Sequence, residues 1–201
     1  MAWVTTADLA AALKRIAASM QDKADELNAA DGALGDGDLG ITVSRGFAEA
    51  ASVDLPEDFG IAFLECSKAM QRVSASSYGT LLATAFLATA KATKGRTSFQ
   101  TTEISSLVDG ALAAMMARGK GALGDKTVLD ILKAIVDATS DAPPADIYAR
   151  TLCAARKALE DYKGKANKLG RARMFGEASI GLYDPGQLAM VRIIEALRPG
   201  Q

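Results

Sequence analysis

The sequence predicts an all-α protein, a single bundle of antiparallel helices, and three observations carry that prediction. Alanine is abundant and runs of β-branched residues are nearly absent, a balance that favours helix over strand. Apolar residues recur at spacings of three and four, the period of an amphipathic helix. The five prolines, at positions 56, 143, 144, 185 and 199, fall where periodic segments begin or end, as helix boundaries require.

The first helix starts after Thr5, with Asp8 placed three residues on to complete a capping box. It carries Leu9, Leu13, Ile16, Met20, Ala24 and Leu27 on one face and stops at the glycine-rich stretch from Asp31. A second helix covers 40–52, with Asp38 as a candidate cap, and a third covers 57–73 after Pro56. The serines at 76 and 77 are capping residues for a fourth over 77–93. A fifth spans 102–118. Gly-Asp-Lys-Thr at 124–127 is capping chemistry for a sixth over 126–139. Pro143 and Pro144 open a seventh over 145–163, and the turn Asp184-Pro-Gly186 opens an eighth over 186–198. The connections are short and no composition shift divides the chain, so residues 1–201 read as one domain.

Composition narrows the function. Lys and Arg total 23 against 24 Asp and Glu, so no global field draws the chain to nucleic acid or to an anionic membrane. Any anion must be bound locally. The longest apolar run, near Leu81 to Ala90, is interrupted by threonines and falls well short of the ~20 residues of a membrane span. The N-terminus lacks a basic stretch followed by an apolar one, and Cys66 and Cys153 form no CxxC, which together point to a cytoplasmic protein. There is no histidine, which removes Ser-His-Asp and Cys-His catalysis and imidazole-bound zinc. Carboxylates must do the chemistry.

The 18 glycines gather mainly in four clusters at predicted helix ends. The first, Asp31 to Gly40, holds Asp31, Asp36 and Asp38. Three crowded carboxylates repel unless something positive lies between them, and hard oxygen donors suit Mg²⁺. Glycines exposing backbone N–H groups, and a helix start near Gly40, add a place for an anion. A metal nucleotide is the natural occupant; alone, the stretch also reads as a solvated acidic turn. The second cluster, Ser76 to Thr80, offers hydroxyls and N–H groups. The third runs from Gly119 to Thr127. The fourth, Gly170 to Gly186, brings Arg171 and Arg173, suited to phosphate or to stacking on a base. Two familiar motifs are refused: Gly35 to Gly40 matches GxGxxG but follows a predicted helix, not a strand, and Asp125 intrudes where a Walker A loop needs none. An EF-hand fails because its twelfth position is Phe47.

In order, the clusters resemble the nucleotide-binding L subunit of dihydroxyacetone kinases, over Leu27 to Glu195. The strongest matches are Asp31-x4-Asp36-x-Asp38-x-Gly40 followed by Arg45-Gly-Phe47, then Gly124-Asp-Lys-Thr127, then the pattern from Gly170 to Gly186. The resemblance implies a closed barrel of eight antiparallel amphipathic helices with the nucleotide held by loops at one end. It implies that Asp31, Asp36 and Asp38 hold two Mg²⁺ ions against the phosphates of ADP or ATP. It assigns phosphate contacts to Leu39, Gly40, Ile41, Thr42, Ser77 and Tyr78, and the rest of the nucleotide to Gly119, Val128, Arg171, Asp184, Pro185 and Gly186. The chain departs from the pattern at Leu39, where members usually have histidine, and at Ala75 to Gly79, where Tyr78 replaces a small residue.

The reaction implied is phosphoryl transfer to dihydroxyacetone or a related short-chain ketose. In the resembled family the ketose is bound covalently to a histidine of a separate K subunit, so a chain without histidine needs that partner. The donor is either exchanging ATP or a resident ADP recharged by a phosphoenolpyruvate-dependent phosphotransferase protein. The oligomeric state, a homodimer included, is left open. Two alternatives compete: a nucleotide-sensing module that docks on another protein without catalysis, and a helical scaffold without a ligand.

Overall fold

The structure, a computed structural model, describes residues 3–73 and 76–198. Ala75, which opens the loop where the chain departs from the resembled pattern, and Pro199 lie outside the described residues.

Thr5 caps the first helix as its sequence requires: its hydroxyl accepts from the Asp8 N–H, and the Asp8 carboxylate accepts from the Thr5 N–H at 2.8 Å. The predicted single helix is two. α1 (Thr6–Asp22) ends at Lys23, and α2 (Ala24–Gly32) continues the same buried face, with Leu13, Ile16, Met20 and Leu27 all in the core. The break lies beside Ala24, against whose carbonyl Gly40 of α3 (Leu39–Ala51) packs so tightly that an added Cβ would sit 2.0 Å from its oxygen. Three more helices follow: α4 (Phe59–Val73), α5 (Ser77–Ala92) and α6 (Ile104–Gly119). The remaining three are α7 (Val128–Thr139), α8 (Ile147–Lys163) and α9 (Pro185–Glu195).

Most starts differ from expectation by one or two residues, for local reasons. α4 begins late because Asp58 turns its carboxylate to the N–H groups of Ile61 and Gly95, at 3.0 Å each. α7 begins late because Lys126 has φ 62° and Thr127 takes the cap. Single 3-10 turns, Thr101–Glu103 and Pro144–Asp146, precede α6 and α8.

One element was not anticipated. Trp3–Thr5 (β1) pairs antiparallel with Ser98–Gln100 (β2), placing Val4 opposite Phe99. Three residues per strand show no readable period. Val4 packs onto a small aromatic core of Phe59, Phe63 and Phe99, with Phe59 and Phe99 ring centroids 4.9 Å apart.

Each helix packs on its neighbour in sequence, α3 on α1 and α2, then α4 through α9 in turn, and α9 returns to α1 and α2. The returning seam is ionic as well as apolar. Arg192 of α9 bonds Glu26 of α2 and Glu195, and Arg156 of α8 reaches the same Glu195 at 2.6 Å. A continuous core of Leu, Ile, Val and Met side chains fills the circuit. Among the described residues no helix is long and apolar enough to cross a membrane. Because the helices alternate in direction, the starts of α3, α5, α7 and α9 lie at one end, and the aromatic core and ribbon lie at the far ends of α4 and α5.

Candidate functional site

A cavity of about 620 Å³ opens at that end, within the usual range for a small-molecule site. The first residues of four helices line it: Leu39 of α3, Ser77 of α5, Val128 of α7 and Pro185 of α9. A helix start carries unpaired N–H groups and the positive end of the peptide dipoles, so four of them make an electropositive pole. Three of these starts are fixed by caps. Ser76 accepts from the Gly79 N–H at 3.1 Å, Thr127 from the Leu129 N–H at 3.2 Å, and Asp184 from the Gln187 N–H at 2.8 Å.

The fourth start is different. Asp38 occupies the cap position of α3 without a side-chain capping bond, so its carboxylate is left for other work and the acidic turn is more than a helix cap. Asp31 accepts the Asp38 N–H at 3.0 Å, folding the turn on itself. Carboxylate oxygens of Asp31, Asp36 and Asp38 then lie within 4.8 Å of one another, with Asp36 and Asp38 exposed and Asp31 half-buried. Arg171 pairs with Asp36. Three carboxylates less one guanidinium leave a formal charge of −2, and the donors are hard oxygens open to the cavity. The set fits a divalent ion such as magnesium.

Of the residues that the sequence brought forward, Asp31, Asp36, Asp38, Leu39, Ser77, Tyr78, Gly119, Val128, Arg171, Asp184, Pro185 and Gly186 line this one cavity. Gly40, Ile41 and Thr42 are not among the residues that line it. Gly40 is spent on helix packing against Ala24. The Ile41 side chain faces solvent and its N–H is taken by Asn28 at 3.3 Å. Thr42 is buried. The sequence reading missed Arg118, Leu81, Met115, Leu129 and Leu169 in the lining. For Arg118 a signal existed: it is the basic residue in the last turn of a helix that runs into a glycine cluster.

Tyr78 is not a loose lid. Its hydroxyl donates to the Gly186 carbonyl at 3.1 Å, tying the starts of α5 and α9 together, and burial raises its phenol far above the ordinary value. The ring rests on Gly186, where an added Cβ would sit 3.0 Å from a ring carbon. Gly186→Ala is therefore expected to cost about 1–3 kcal/mol by overpacking. In a Tyr78→Ser background the cost should fall by more than half, measured by a double-mutant cycle of denaturant unfolding.

Asp184 is buried, its second oxygen accepting from Asn167 at 2.8 Å. Burial raises its pKa to about 6, against the opposing pull of the Gln187 and Asn167 hydrogen bonds and the Lys126 charge. A carboxyl raised in the folded state binds protons more tightly there than in the unfolded chain. Its contribution to stability is thus present below pH 4 and is lost as pH rises through 6. Between pH 4.5 and 7 the stability of wild type relative to Asp184→Asn should fall by about 2 kcal/mol, read from urea unfolding at the two pH values. A flat difference would contradict the buried, titrating Asp184.

The family model described as DAK2 domain matches residues 33–199. The chain is 31% identical over 182 residues to the PTS-dependent dihydroxyacetone kinase, ADP-binding subunit DhaL, of Lactococcus lactis, covering 89% of this chain and 88% of that protein. It is 31% identical over 206 residues to mouse triokinase/FMN cyclase, covering 96% of this chain and 35% of that one. The crystal structure of the dihydroxyacetone kinase from C. freundii in complex with AMP-PNP and Mg²⁺ is similar with a TM-score of 0.75 at 24% identity. That match covers 96% of this chain and 33% of that one, a likeness of fold.

Proposed function

This chain belongs to the DAK2 domain family, and from that premise we propose that it is the nucleotide-binding subunit of a kinase for dihydroxyacetone or a related short-chain ketose. The observation that carries the reading is the convergence of four helix starts and three carboxylates on one cavity. Few ligands other than a metal-bound polyphosphate use both poles at once. The circuit of helix neighbours, with α1 and α2 counted as one, supports a closed barrel of eight with its site at one end.

Asp31, Asp36 and Asp38 would hold magnesium, two ions in this reading. Bound there, the metal would neutralise phosphate charge and orient the phosphoryl group for in-line transfer. The chain's own residues do the rest. The helix starts at Leu39, Ser77, Val128 and Pro185 attract the phosphates, while Arg171 and Arg118 offer guanidinium groups at the same cavity. Leu81, Met115, Leu129 and Leu169 give an apolar surface for the flat base and keep water from it. The ADP-binding role named for the Lactococcus relative, which the chain matches over nearly its full length, favours a resident ADP recharged by a phosphoenolpyruvate-dependent phosphotransferase protein over exchanging ATP.

The acceptor sugar comes on a partner. This chain has no histidine to hold a ketose, and the exposed Met174, Phe175 and Leu182, on the segment whose Leu169 to Ala172 line the cavity, supply apolar surface for a substrate-binding K subunit. The work is then cytoplasmic. Reconstitution with such a subunit, dihydroxyacetone and a phosphoryl donor should yield dihydroxyacetone phosphate. Tight nucleotide binding with no product in that assay would leave the sensing module as the better reading.

A further inference from the structure

Between α8 and α9 the chain leaves the helical body as a long excursion, residues 164–182, that contains only a 3-10 segment, Arg171–Ser179, kinked at Gly176. Loops of this length are uncommon without a function. It brings Leu169, Gly170, Arg171 and Ala172 to the cavity as one wall. Little apolar packing holds it in place. Only Asn167, Ala172 and Ser179 are buried within it, while Met174 is 84% exposed and Phe175 and Ile180 face solvent.

What holds it is a cation. Lys126 is fully buried, and its ammonium donates to the carbonyls of Lys165 at 2.8 Å, Leu182 at 2.8 Å and Ser179 at 2.9 Å, with that of Lys163 at 3.4 Å. Lys163 and Leu182 are the two ends of the excursion, so one nitrogen closes its neck. A backbone bond from the Gly181 N–H to the same Lys163 carbonyl, 2.9 Å, closes it again. The peptide of Lys126 takes part too: Asn167 donates to its carbonyl at 3.0 Å, and Lys168 donates to the Asp125 carbonyl at 3.0 Å. Lys126 meets this demand in the left-handed backbone region, φ 62°, which few lysines adopt unless surrounding contacts impose it.

We propose that Lys126 is a positioning residue for the nucleotide cavity, its buried ammonium clamping both ends of the 164–182 excursion and so fixing the wall that carries Arg171. The effect on nucleotide rests on the function proposed above; the clamp itself does not. An ammonium suits the task because it offers three donors in a compact group, whereas the planar guanidinium of arginine spreads its donors too widely for convergent carbonyls.

Limited trypsin digestion tests the clamp, since Lys165, Lys168, Arg171 and Arg173 are all exposed within the excursion. In Lys126→Met, cleavage at these bonds should be at least about tenfold faster than in wild type while far-ultraviolet circular dichroism is unchanged, and Mg-ADP affinity should fall at least about tenfold. Ile135→Val, a core substitution of modest cost, should change neither readout, which separates positioning from general stability. Cleavage at the wild-type rate in a folded Lys126→Met would overturn the proposal. Should that variant fail to fold, native-state hydrogen exchange of wild type decides. The amides of Asn167, Lys168 and Gly181 should open together in one step below global unfolding, and unrelated opening free energies would overturn the clamp. If wild type binds no nucleotide, the functional reading fails while digestion and exchange still decide the clamp.

Discussion

Replacing Asp36 with asparagine is expected to weaken Mg-ADP binding at least about a hundredfold while leaving helical content unchanged. Asp36 is exposed and caps no helix, so the substitution has little fold to disturb. What it removes is one hard, charged oxygen donor from the cluster and the partner of Arg171. The formal charge of the cluster with Arg171 drops from −2 to −1, too little to balance a divalent ion. Asp38→Asn should behave alike, because Asp38 makes no capping bond. Asp31→Asn should add a conformational effect, since Asp31 accepts the Asp38 N–H that closes the turn. Calorimetric titration beside circular dichroism reads both quantities. Unchanged affinity in Asp36→Asn would remove the acidic turn from the binding site.

Gly40→Ala is expected to destabilise the protein by about 3 kcal/mol or more, lowering Tm by roughly 6–12 °C. A Cβ at this position would lie 2.0 Å from the Ala24 carbonyl oxygen and 2.8 Å from the Asn28 side chain. The first neighbour is helix backbone, so α2 and α3 must separate. Because Gly40 follows Asp38 and Leu39 directly, the displacement should also carry the acidic turn away and weaken Mg-ADP binding. Gly110→Ala is the control: an added Cβ there meets nothing within 4 Å, and alanine in an exposed helix interior should stabilise by about 0.5–1 kcal/mol. Equal melting temperatures for Gly40→Ala and wild type would contradict the close α2–α3 crossing.

The features legible in the sequence were those written in local spacing. The Thr5–Asp8 capping box, the buried face from Leu13 to Leu27, the Thr127 cap and the helix start after the Asp184-Pro-Gly turn involve residues a few positions apart, and the structure holds them as expected. That the acidic turn, Arg171 and Gly186 share one cavity was implied by the family resemblance, because each glycine-rich cluster alone also read as an ordinary helix end. Gly40 shows the limit of that argument. The resemblance put Gly40 beside phosphate, but the contact that forbids a side chain there is a carbonyl sixteen positions away. Lys126 shows it more sharply. Beside glycine and aspartate it read as a loop lysine, because no local pattern reveals carbonyls from Lys163 to Leu182 converging on one ammonium. The ribbon of Trp3–Thr5 likewise answers to a neighbour distant in sequence, Ser98–Gln100.

If one cavity joins a carboxylate cluster to four helix starts in order to hold a magnesium nucleotide, the metal and the nucleotide must bind together. Calorimetric titration of the nucleotide-free wild-type chain with ADP, once with Mg²⁺ and once with chelator, tests it most directly. The expected result is one ADP per chain, bound at least about a hundredfold more tightly with Mg²⁺ than without. Equal affinity in the two titrations, or no binding in either, would contradict it.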